Sequence, residues 1–184
     1  MRCNLLKTVI FSLTVAAATT VGADTGDGTV HFTGLVKEDA CTIKTKDITV
    51  NLPTVSPTDF GGNIGSLQGT KHFNIELINC DGSKASKVQA RFSGTADVYG
   101  SGNVLKNTSG DATGVGLLVT DPGKTGESDG YSFTDVDNWT TDVAVPTGTG
   151  GSVNMPFEVH YISTSASVVA GTVDATATFY LQYN

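Results

Sequence analysis

From Gly28 onward, apolar and polar residues alternate with a period of two in short runs, and clusters of Gly, Pro, Asn and Asp separate the runs. The pattern predicts strands at Gly28–Val36, Ile48–Leu52, His72–Cys80, Lys87–Gly94 and Gly114–Thr120. Two more are predicted at Val153–Ser163 and Val173–Tyr183. Between them lie "SPTDFGGNIGSLQGT", "YGSGN", "DPGKTGESDG" and "PTGTGG", rich in turn-forming residues. No window keeps a 3.6-residue period over three turns; Ser66–Gln68 is expected to form at most a helical turn. Many short strands with turn signals between them point to an all-β sandwich.

Two of these strands are unusual. In "GTVHFTGLV", Val30, Phe32, Gly34 and Val36 share one face, and no adjacent segment offers a hairpin partner. At the other end Ala175, Ala177, Phe179, Leu181 and Tyr183 share a face opposite Thr176, Thr178, Tyr180 and Gln182. Only Asn184 follows Tyr183 in this sequence, and that strand is expected to be left uncovered by any tail. An exposed apolar edge is a liability that folded proteins usually conceal. The two orphan features are expected to answer each other.

The first 23 residues change the reading of everything after them. Arg2 and Lys7 precede an apolar run, Thr8–Ala18, that is too short to span a bilayer, and "VGA" provides small residues at a cleavage site. Residues 1–23 are therefore expected to be a cleaved export signal. Of 184 residues, 161 remain, from Asp24 to Asn184, enough for one domain with a sizeable core. Losing Arg2 and Lys7 shifts the formal net charge from −7 to −9, which argues against nucleic acid or anionic membranes as partners. Cys3 leaves with the signal. In an exported chain Cys41 and Cys80 most simply form a disulfide, with two free thiols or a metal pair as alternatives, although no further ligand is spaced for zinc.

Three stretches together resemble the structural pilins of the chaperone–usher pathway, similar to type 1 fimbrial major subunits. "GTVHFTGLV" before Cys41 resembles the N-terminal extension, "FNIELINCD" the strand bearing the second cysteine, and "ATATFYLQYN" the terminal strand with its penultimate Tyr. Gly171 stands fourteenth from the end, where such pilins usually carry glycine. The resemblance implies an incomplete immunoglobulin-like β-sandwich, completed in trans by a neighbour's N-terminal donor strand. It implies residues 24–40 as the donor extension and 41–184 as the pilin domain. Val30, Phe32 and Val36 would then fill successive pockets, and Gly34 would lie where the groove is shallow. Gly171, Phe179, Leu181 and Tyr183 would belong to the acceptor groove and terminal strand. The partners implied are further copies of the chain, other pilins, a periplasmic chaperone and an outer-membrane usher. The expected destination is a bacterial surface fimbria.

The chemistry of an enzyme is not spelled out. "PGKTG" fails as a phosphate loop because Leu118 occupies the position five residues before Gly123. There is no HExxH, and His31, His72 and His160 lie far apart within alternating segments, as ordinary strand histidines do. "DTGDG" and "DVDN" lack the ligand count of a calcium loop. Asn107 and Asn138 head formal glycosylation sequons, which mean little if the protein is bacterial, and Trp139 is expected to be a partly buried loop aromatic rather than a sugar platform. No catalytic residue, metal or cofactor is expected. The alternatives are a minor adaptor or terminator pilin and a secreted immunoglobulin-like module binding carbohydrate or protein, which would need no unpaired N-terminal strand.

Overall fold

The computed structural model describes Val30, His31, Thr33, Gly34 and residues 39–184. The chain divides into two units, Met1–Val36 and Lys37–Asn184. In the first, the four described residues are extended or irregular and exposed. The expected signal peptide lies outside the described residues, as do Phe32 and Val36.

The second unit is built from strands: β1 (Thr42–Ile43), β2 (Leu67–Asp81), β3 (Lys87–Gly94), β4 (Val104–Lys106), β5 (Val115–Thr120), β6 (Val143–Ala144), β7 (Thr149–Ser163) and β8 (Ala177–Tyr183). They form two sheets, β1-β2-β7-β5-β4 and β6-β3-β8, every pair antiparallel. The order follows from hydrophobicity. β5, with Leu117 and Val119 in the main core and Val115 packed with Phe60 and Ala112, is buried throughout and sits inside its sheet. The alternating strands β3 and β8 bury one face and leave the other to solvent.

Ile75 and Leu77 of β2, Val88, Ala90 and Phe92 of β3, and Val153, Met155, Phe157 and Val159 of β7 form the core between the sheets. Phe157 is its aromatic centre, meeting Phe92 and Tyr131 edge-on at 5.2 and 5.9 Å and stacking on Phe73 at 5.4 Å. Cys41 and Cys80 are joined, tying the segment that enters β1 to the end of β2 across 39 residues. Closing a loop of that length is worth about 4 kcal/mol on the chain-entropy estimate.

Several expectations need adjusting. Leu67 and Gln68 open β2 rather than forming a helical turn. The turn lies earlier, at Pro57–Phe60, where Ser56 accepts from the Thr58 N–H and Asp59 returns a bond to the Ser56 N–H at 2.7 Å. Proline at its first position and Gly61 at φ 62° delimit it. Ile48–Leu52 keeps strand-like alternation of half-buried and exposed residues but pairs with no strand. β8 begins at Ala177 rather than Val173.

Candidate functional site

The unpaired segment at Ile48–Leu52 and the late start of β8 share one cause. Ile48, Val50, Leu52 and Val55 are half-buried, and so, without interruption, is every second residue from Val173 to Tyr183. These two apolar rows flank a seam in the sandwich. Ile43 and Tyr183 line one cavity of about 750 Å³, whereas Leu52 and Val173 line another of about 400 Å³, so the two rows run antiparallel. Phe60, carried inward by the Pro57–Phe60 turn, closes the second cavity together with Val115 and Tyr161.

The backbone is as incomplete as the packing. Lys87 and Asn184 exchange both N–H···O bonds, at 3.1 and 3.0 Å. In an antiparallel ladder bonded and non-bonded pairs alternate. The pairs Gln89/Gln182 and Arg91/Tyr180 are therefore bonded, and Val88/Tyr183, Ala90/Leu181 and Phe92/Phe179 are not. The N–H and C=O groups of Phe179, Leu181 and Tyr183 consequently point away from β3, along the edge of β8 that has no strand beside it among the described residues.

The preceding stretch behaves alike. Asp174 and Thr172 direct their carbonyls to the N–H groups of Thr108, Ser109 and Ala112. Asn107 staples this arrangement, donating to the carbonyls of Ala112 and Thr172 and accepting from the N–H groups of Gly110 and Asp174. Val173 and Ala175 are left facing the seam. Among the described residues, Ile48–Val55 makes no backbone hydrogen bond on the opposite bank.

The same residues thus present half-buried apolar side chains and unpaired main-chain groups. What satisfies both at once is an extended segment with apolar residues at every second position. Val173–Tyr183 spans about 33 Å at roughly 3.3 Å per residue, and Val30–Val36 about 20 Å.

Tyr183, half-buried, stands at one end of the row. Burial pushes its phenol pKa up, nearby Asp39 adds to the rise, and the Cys41 N–H opposes it. Gly171 lines the other cavity, but its need for glycine has another origin. A Cβ there would lie 2.4 Å from the Ala112 nitrogen and 2.7 Å from the Asp111 carbonyl carbon. Glycine lets the chain pass this loop before it turns into the row that begins at Val173. Gly34 has nothing within 4 Å of a built Cβ, and Val30 is exposed.

Away from the seam, the structure unites residues that sequence spacing kept apart. His72 and His160 lie on adjoining strands on either side of Glu158, at 3.3 and 3.6 Å. Asn107 and Asn138, the sequon asparagines, are both engaged, Asn138 accepting from the Ser132 N–H. Trp139 is half-buried in its loop, as expected.

The family model described as "Fimbrial protein" matches residues 30–184. The type-1 fimbrial protein A chain of Escherichia coli strain K12 is 36% identical over 92% of this chain and 88% of its own length. The fimbrial subunit type 1 of Salmonella typhimurium is 32% identical over the whole of both. Among solved structures, a Burkholderia pseudomallei antigen and type I fimbria protein is 30% identical, with TM-score 0.52, over 80% of this chain and 90% of that one. The P pilus rod subunit PapA shares the fold at TM-score 0.59 and 23% identity, over 79% and 100%.

Proposed function

The chain belongs to the fimbrial protein family, as a structural subunit of an extracellular chaperone–usher fimbria, and on that premise we propose that it polymerises by donor-strand exchange through the seam. The donor is residues 24–40 of one copy, and the acceptor is the seam of the pilin domain, 41–184, in the next. Val30, Phe32 and Val36 supply apolar side chains to the row Val173–Tyr183, and Gly34 passes where a side chain has no room. A periplasmic chaperone holds the seam filled before assembly, and an outer-membrane usher is where the neighbour's arm replaces it. The work is mechanical, with no catalytic step and no cofactor.

One observation carries this reading: half-buried side chains and unpaired backbone groups coincide on every second residue of the same edge. A surface that merely binds loops would not leave a ladder open along a strand flanking the core.

The test is a graft. Asp24–Val36 is deleted from the front and placed after Asn184 through a flexible linker long enough for the segment to reverse along the seam. The expected product is a soluble monomer that does not polymerise and melts well above the ungrafted subunit. Equal melting temperatures would overturn the assignment of this segment as donor.

A further inference from the structure

Opposite the core, the β6-β3-β8 sheet turns a second face to solvent, and Arg91 lies in its middle. It is the only arginine besides Arg2. Its guanidinium carbon lies 4.0 Å from the Tyr180 ring centroid and 5.4 Å from that of Trp139. Tyr180 is directly opposite in the ladder, whereas Trp139 arrives from the loop before β6. Two aromatic neighbours hold the planar group in place.

That group is unused. Among the described residues Arg91 makes neither a hydrogen bond nor an ion pair, although Lys87 on the same face is paired with Asp142 at 2.6 Å. Beside it runs a fixed line of amides: Gln182 donates to Asn184, Asn184 to Gln89, and Gln89 to the Thr140 carbonyl, at 3.2, 3.2 and 2.8 Å. In a chain of net charge −7, a lone arginine with open donors, held in a fixed plane, is matched to a carboxylate by charge and by fork geometry.

The surroundings select the carboxylate's carrier. No outward-facing residue of β3 or β8 is aliphatic; they are amides, hydroxyls, Lys87, Arg91 and Tyr180. The core of a protein–protein contact is more apolar than this. Amides, hydroxyls and an aromatic rim suit a hydroxyl-rich ligand. We propose that Arg91, Tyr180 and Trp139, with the Gln182–Asn184–Gln89 line, form a binding site for an acidic saccharide, whose carboxylate is taken by Arg91. The site lies on the face opposite the seam, so filling the seam leaves it open.

The experiment uses fimbriae sheared from cells, with 3′-sialyllactose as probe and lactose as its neutral counterpart, read by saturation-transfer NMR and titration. Wild-type fimbriae are expected to bind sialyllactose in preference to lactose, and more weakly as salt rises. Arg91→Ala should weaken binding at least roughly tenfold while fimbriae form normally. Arg91→Lys, which keeps the charge without the fork, should fall between. Equal response to the two sugars, or binding that survives Arg91→Ala, would overturn the proposal. So would fimbriae that fail to assemble with both Arg91 variants, which would make this face a contact between subunits. Absent fimbriae in the wild type would instead count against the polymerisation reading, so the two failures are distinct.

Discussion

β7 and β8 read alike as sequence, each alternating apolar and polar residues toward one core, yet they end in different states. Inner residues of β7 such as Phe157 and Val159 are 2% and 5% exposed, and from Glu158 onward the strand has β2 on one side and β5 on the other. Phe179, Leu181 and Tyr183 of β8 face the same core and are only half-buried, because only β3 lies beside them among the described residues. The patterning differs little, so the neighbours make the difference. The half of the sandwich around β7 is closed among the described residues, and on our proposal the half beside β8 is built to receive a further strand.

The graft described above is the largest way to break that contrast, since it should give β8 the second neighbour that β7 already has. Truncating each strand's central aromatic sharpens it. Phe157→Ala empties a closed, fully packed site and should cost about 3–5 kcal/mol in denaturant unfolding. Phe179→Ala in the ungrafted domain removes a side chain that still touches water, and should cost about 1 kcal/mol. In the grafted protein the Phe179→Ala cost should rise toward that of Phe157→Ala. If it stays small there, the seam is not what the arm fills.

A smaller effect is expected at Gly34. In the single chain a Cβ there meets nothing, so Gly34→Leu should leave the melting temperature of the ungrafted subunit unchanged. Forced into the seam with the rest of the arm, the same side chain should cost about 1–3 kcal/mol and suppress polymerisation. Fimbriae of normal yield and length from Gly34→Leu cells would show that this face of the arm is not the inserted one.

How much of this was legible beforehand varies by element. β3, β5 and the core of β7 were legible because each has inward residues that alternate or run continuously within the strand itself. Ile48–Leu52 was read as a strand from the same alternation and remains unpaired, because a ladder needs a second segment and no residue in that run reports whether one is present. β4 and β6, three and two residues long, are too short to show any period. The terminal row Val173–Tyr183 was legible as an edge, but the structural need for Gly171 was not, since it depends on Asp111 and Ala112 sixty residues earlier. The Arg91 stack was equally hidden, because it joins β3 to its ladder partner on β8 and to a distant loop.

The smallest expected effect concerns the closed half, where His160 is buried on the outer side of β7. Thr120 donates its one hydroxyl proton to the Lys124 carbonyl at 3.2 Å, so it must accept from His160 Nε2–H at 3.3 Å. Nδ1 is then the acceptor, and Thr70 donates to it at 3.0 Å. The ring is neutral in this arrangement. Burial lowers its pKa below the ordinary histidine value, neighbouring Glu158 opposes that shift, and His72 reinforces it. A histidine depressed in the folded state binds fewer protons than in the unfolded chain once the pH falls below about 6.5. The stability it contributes is thus full above that pH and declines as the pH drops toward the folded value. Melting temperature should fall between pH 7 and 5, and His160→Gln, which keeps a donor for Thr120 but does not titrate, should flatten that part of the profile. Because the cluster lies across the sheet from the seam, the grafted and ungrafted proteins should show the same pH dependence. A profile that changes on grafting would mean the closed half is not closed independently of the arm.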